Sequence, residues 1–145
     1  MKKNINNTKC YVYYCKETVQ ERDMKVGETG NLEIRQNMLW SNERISVTRY
    51  VSFKGTKDER LFIESYLRSK YSANSNLQHY GNDHFTARNK NNLKGAENKF
   101  FVYVAEAFAI LEQIKNKPFT YNCYTSRFSR SHEHLERLKE LTQED

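Results

Sequence analysis

No stretch of the sequence stays apolar long enough to cross a bilayer. The longest apolar run, Phe100 to Leu111, is interrupted by Glu106 and falls short of the roughly 20 residues that a membrane helix needs. An export signal is also lacking, because the basic start Met1-Lys2-Lys3-Asn4 is followed mainly by Asn, Thr and Lys where an apolar segment would stand. The chain is therefore expected in the cytosol, with no membrane partner. Cysteine is scarce and odd in number. Cys10, Cys15 and Cys123 do not suit a disulfide framework and read as reduced thiols. A zinc site combining Cys123 with His132 and His134 fits poorly, since two histidines two residues apart on a helix point in different directions. Internal repeats, low-complexity tracts and blocks of five or more basic residues are absent too.

What is present suits one domain. The 145 residues are 37% hydrophobic and 29% charged, with 10 Tyr and 8 Phe, which is enough to build a core and excludes a wholly disordered chain. A net charge of +6 favours polyanionic partners such as nucleic acid, although a basic surface can equally serve solubility.

The pattern along the chain is α/β. Residues 1–8 are polar and expected to be flexible. Cys10 to Cys15 reads as an aromatic strand, Met24 to Gly27 as its hairpin partner, and Leu32 to Trp40 as a short helix after the turn Thr29-Gly30-Asn31. Ile45 to Phe53 suggests a third strand with Ile45, Val47, Arg49, Val51 and Phe53 on one face and Tyr50 as the apolar exception opposite. Thr56-Lys57-Asp58-Glu59 has the spacing of a capping box, predicting a helix to about Tyr71. Ser72 to Asn82 reads as loop, Leu93 to Lys115 as one long helix ended by Pro118, Phe119 to Phe128 as ambiguous, and Ser131 to Leu141 as a charged terminal helix.

Several of these residues stand in a known order. Tyr11-Val12-Tyr13, then Lys25-Val26-Gly27, the turn Asn31-Leu32 and Arg35, eight residues after Gly27, resemble the signature of the GIY-YIG nuclease superfamily. Tyr80-Gly81-Asn82-Asp83-His84-Phe85 is similar to the G-x-x-E-W-F segment of its phage-associated T5orf172 branch, and Glu64 matches the family's metal-binding glutamate. The resemblance covers about residues 9–87. It implies a β-β-α-β-α core with a small mixed or antiparallel sheet flanked by helices, extended by C-terminal helices over residues 88–145.

The function it implies is metal-dependent hydrolysis of DNA phosphodiesters, in a bacterial or phage-infected cell. Such a transition state gathers negative charge, so a guanidinium and a cation are needed beside it. The resemblance gives these tasks to Arg35 and to Mg2+ (or Mn2+) held by Glu64, and proton transfer to Tyr13, whose phenol would need a lowered pKa. Lys25, Asn31, Arg35 and His84 would contact DNA, with Lys25 also a candidate at the reaction centre. Any sequence preference would come from the module's own loops or from a homodimer.

The chain departs from the family at four places. Lys25 replaces the second tyrosine of the signature, as in the T5orf172 branch. Glu28 is acidic where basic or polar residues are common, Leu39 stands where the helix often carries His or Tyr, and Asp83-His84 replaces the acid and the tryptophan. Lys25, His84 or His79 would have to compensate.

Taken singly, each residue has a plainer reading: Tyr13 as a core tyrosine, Arg35 and Glu64 as solvated helix residues, Asn31 as a turn residue. The alternative function is a catalytically impaired module of the same fold that binds nucleic acid. A third is a structural or inhibitory partner protein using Phe100 to Leu111 and the terminal helix.

Overall fold

The computed structural model describes residues 8–81 and 83–125. The expected terminal helix Ser131–Leu141 lies outside these residues, as does the expected flexible N-terminus apart from Thr8, which begins the first strand. The elements run β1 (Thr8–Glu17), β2 (Asp23–Thr29), α1 (Leu32–Glu43), β3 (Ile45–Gly55), α2 (Lys57–Ser72), β4 (Leu77–Tyr80), β5 (His84–Ala87), α3 (Lys90–Asn98), α4 (Phe100–Lys115) and β6 (Tyr121–Thr125). The strands form one six-stranded sheet in the order β4-β5-β2-β1-β3-β6, and every pairing is antiparallel. The α/β class with a small antiparallel sheet is thus present. No helix among the described residues is long and apolar enough to cross a membrane.

Strand β1 lies inside the sheet, and its alternate side chains feed two cores. Cys10, Val12 and Tyr14 join Ile63, Leu67, Phe85, Phe100 and Phe108 beneath α2, α3 and α4. Tyr11, Tyr13 and Cys15 join Leu32, Leu39, Ile45 and Val47 beneath α1. Two buried phenols are satisfied by backbone: Tyr14 donates to the Leu93 carbonyl at 3.3 Å and Tyr71 to that of Ala96 at 2.8 Å.

Strand β3 does not keep the single apolar face read from its sequence. Tyr14 pairs with Arg49 but Cys15 with Val47, so Thr48 is an extra residue, a β-bulge that reverses the alternation. Ile45, Val47 and Tyr50 consequently face α1, while Val51 and Phe53 face the opposite core. The apolar exception Tyr50 is the residue that follows from this shift. On the far side of the bulge, buried Glu97 accepts from the Thr48 hydroxyl and lies 3.5 Å from the Arg49 guanidinium.

The helix caps follow the sequence. Asn31 caps α1 by accepting from Ile34 N at 3.1 Å, and the expected capping box of α2 is complete, with Glu59 accepting from Thr56 N at 2.9 Å. The rest differs in three places. The segment read as loop holds β4, and its following residues form β5; these strands have four residues each, and β4 buries only Leu77, too little for a period-two signal. The single long helix is two, breaking at Lys99, whose N–H is shared between the Gly95 and Ala96 carbonyls, with no glycine or proline at the break to mark it. The extension after residue 87 is not purely helical, because β6 pairs with β3. Its Tyr121 stacks on Phe108 at 4.2 Å, and Phe108 meets Phe53 edge-on at 5.0 Å.

Phe108 thus ties α4, β3 and β6 into one core, so Phe108→Ala should lower stability by about 3–5 kcal/mol. A urea unfolding series reads this directly; a loss below about 1 kcal/mol would mean that α4 and β6 are not part of the cooperative unit.

Candidate active site

Tyr13 and Arg35 are brought together by the sheet and α1. Tyr13 sits opposite Gly27 in the β1–β2 pairing, is fully buried, and its phenol crosses the glycine so closely that a Cβ at residue 27 would fall inside it. The phenol oxygen accepts a hydrogen bond from Arg35 Nη1 at 3.0 Å, and the same nitrogen donates to the Glu28 carbonyl at 3.3 Å. One nitrogen of the guanidinium is therefore held from two sides. Burial raises the Tyr13 pKa, and Arg35 offsets this only in part. This direction is opposite to the lowering that proton acceptance would need, and the phenol oxygen serves as an acceptor that positions Arg35.

Lys25 belongs to a second group at the far end of α1. Helix α1 runs past its expected end at Trp40 to Glu43, which brings the Glu43 carboxylate to 3.7 Å from Lys25 Nζ and 2.9 Å from His84 Nε2. Asp83 lies 3.9 Å from Lys25 and 3.0 Å from His84 Nδ1. Both ring nitrogens of His84 face carboxylates, so a proton-transfer role for it requires one of them to let go. His79 is stacked on Phe85 at 4.5 Å and lies 3.1 Å from the Ser72 hydroxyl through Nδ1, which engages it elsewhere.

Glu64 is on α2, largely buried, with Arg68 Nε 3.0 Å from its carboxylate. Burial raises its pKa, Arg68 opposes this, and the charges of Asp83 and Glu28 push it up further. Those two carboxylates are therefore its electrostatic neighbours, and each is already paired: Asp83 with Lys25 and His84, Glu28 with Arg60. Among the described residues no three His, Cys, Asp or Glu side chains converge on a point. The Glu64 carboxylate is held by Arg68, so a magnesium ion, which keeps several waters and takes phosphate oxygens, would have to share it with that guanidinium. Asn31 is committed to capping α1, which accounts for it without DNA.

Glu43, and the Glu28–Arg60 ion pair joining β2 to α2, were not singled out from the sequence. Glu43 carries no local signal, because only the length of α1 brings it to Lys25. Comparison of the chain with models of protein families, with curated proteins and with solved structures gave no match.

Two measurements test this geometry. Gly27→Ala should cost about 1–3 kcal/mol through overpacking against the phenol, and much less in a Tyr13→Ala background, a coupling that a double-mutant cycle detects. Additive losses would mean that the phenol does not cross residue 27. For Glu64, a raised folded pKa means that its stabilising contribution is complete below the unfolded carboxyl value and is lost as pH rises through the folded one. Glu64→Gln should therefore gain stability relative to the native chain between pH 4 and pH 7, read from urea midpoints; the opposite trend would show that Arg68 outweighs burial.

Proposed function

We propose that this chain is a metal-dependent endonuclease of the GIY-YIG type that hydrolyses DNA phosphodiester bonds, with Mg2+ (or Mn2+) held by Glu64. The observation that carries the reading is the Tyr13–Arg35 hydrogen bond of 3.0 Å over Gly27, which joins the three most specific residues of the signature in one contact. The order β1-β2-α1-β3-α2, with β2, β1 and β3 adjacent, also agrees with the core that the resemblance implies.

In this reading Arg35 faces the nonbridging oxygens of the scissile phosphate and offsets the charge that grows there. Tyr13 and the Glu28 carbonyl fix one guanidinium nitrogen, leaving its other donors for the phosphate. Lys25 attracts the backbone, exchanging its carboxylate partners Glu43 and Asp83 for a phosphate. Magnesium at Glu64 supplies Lewis acidity and a more acidic water.

A second reading, a binding module without turnover, is favoured by one observation: Lys25 and His84 are both occupied by Glu43 and Asp83. Supercoiled plasmid incubated with magnesium, manganese or EDTA separates the two. Cleavage should require the metal and fall by about 10²- to 10³-fold in Arg35→Ala. Glu64→Ala should lose the metal stimulation, whereas Glu59→Ala, a change in the capping box, should retain it. Absence of cleavage, or an active Arg35→Ala variant, would remove the proposed endonuclease reading, and metal-independent cleavage would remove the role given to the metal.

A further inference from the structure

A second basic feature lies outside the proposed active site. Lys9 of β1 and Lys54 of β3 are directly opposite each other in the strand register. Like charges facing across a strand pair destabilise the sheet, and a bound anion would offset that repulsion. The two strands alternate so that Lys9 shares the sheet face of Tyr11 and Tyr13, and Lys54 that of Tyr50.

A third lysine is added by the connection from α4 to β6. Asn116, in the left-handed region at φ 55°, ends α4, and Glu112 fixes the turn by accepting from Phe119 N at 2.8 Å and, through its carbonyl, from Lys117 N at 3.2 Å. The Phe119 ring packs on Phe53 and Phe108. The turn therefore presents Lys117 from a fixed position. A cleft of about 330 Å³ opens between these parts, with Lys9, Lys54 and Lys117 on its walls beside Thr120 and Asn122 and no acidic residue in its lining. The neighbouring carboxylate of Glu59 is divided between Lys117 at 3.6 Å and Lys115 at 3.7 Å, and its other oxygen is taken by the backbone of Thr56.

We infer that this cleft is a subsite for a phosphodiester of the nucleic-acid backbone, flanking the Tyr13–Arg35 site on the same face of β1. Lys9 is four residues from Tyr13 on that face, about 13 Å at 3.3 Å per residue. The same length measured along a duplex axis corresponds to about four base-pair steps of 3.4 Å. Lysine suits such a contact, because it meets a phosphate as a mobile point charge and reads no base. The neutral donors Thr120 and Asn122 could complete the contact to phosphate oxygens. The proposal deepens the endonuclease reading and rests on it for its ligand, but it makes a claim about binding alone.

The test is fluorescence anisotropy of a labelled DNA duplex in EDTA, where no cleavage interferes, across a series of salt concentrations. Lys9→Ala/Lys54→Ala should weaken binding several-fold at moderate salt and lower the salt slope by about two, uniformly across sequences. The double variant should melt no lower than the native chain, since it removes a repulsive pair. Lys117→Ala should lower the slope by about one. Inorganic phosphate at equal phosphate concentration should compete far less well than unlabelled duplex; equal competition would assign the cleft to a small anion and overturn the proposal. An unchanged slope in the double variant, or no binding by the native chain, would also overturn it. If plasmid cleavage fails while these slope changes are found, the endonuclease reading falls and the subsite stands.

Discussion

The fold rests on a strand buried on both sides. Because β1 lies between β2 and β3, with helices over both of its faces, every residue from Cys10 to Cys15 must serve as core. Six consecutive buried side chains, three of them tyrosines, leave no polar position by which the strand could slip, since a one-residue shift would exchange the two cores. That fixed register places Tyr13 over Gly27, and the same placement leaves room for the phenol and for nothing larger than hydrogen at residue 27. Arg35 then finds an acceptor whose position is set by the sheet rather than by a loop. The buried Cys15 beside it serves packing: burial pushes its thiol pKa up, away from reactivity, and Sγ lies 3.4 Å from the Lys25 carbonyl.

Much of the central fold was legible because it is carried by local rules. The aromatic run of β1, the turn Thr29-Gly30-Asn31 and the Thr56–Glu59 capping box each declare an element within a few residues. What was not legible depends on partners far along the chain. The bulge at Thr48 cannot be read from β3 alone, where Ile45, Val47, Val51 and Phe53 alternate perfectly; it exists because Tyr14 and Cys15 of β1 pair with residues on either side of it. Strands β4 and β6 are mostly exposed, so they lack the apolar period by which strands are recognised, and they form because β5 and β3 offer free edges. The break at Lys99 escapes because the apolar stripe of Leu93, Ala96, Phe100 and Val104 continues across it.

The candidate site shows the same division. Tyr13, Gly27 and Arg35 were singled out through the resemblance to the GIY-YIG signature, and they are joined by hydrogen bonding and close packing. Asn31 has a structural task that its position in the turn already suggested. Glu43 could not be found, because its role follows from three further residues of helix and from the antiparallel placement of β5 beside β2, which sets His84 next to Lys25.

The charges around β2 impose a further constraint on any ligand. Lys25 and Arg60 are cations, but Glu43, Asp83 and Glu28 already stand against them, and Glu43 and Asp83 also lie against the His84 ring nitrogens. An incoming phosphate must displace carboxylates from these partners, and a displaced carboxylate near a phosphate is repelled. Arg35 differs, since its described partners are a phenol and a carbonyl, both neutral, so its full charge remains available. In the cleft, Lys117 shares the single Glu59 carboxylate with Lys115 outside it, and no acidic residue lines the cleft beside Lys9 and Lys54. If the proposed reading holds, long-range attraction of a polyanion would fall to the cleft and to Arg35, while the paired group at Lys25 would engage only at contact. A division of this kind would let the proposed cleft set affinity and salt dependence, while the surroundings of Tyr13 are organised by the sheet alone.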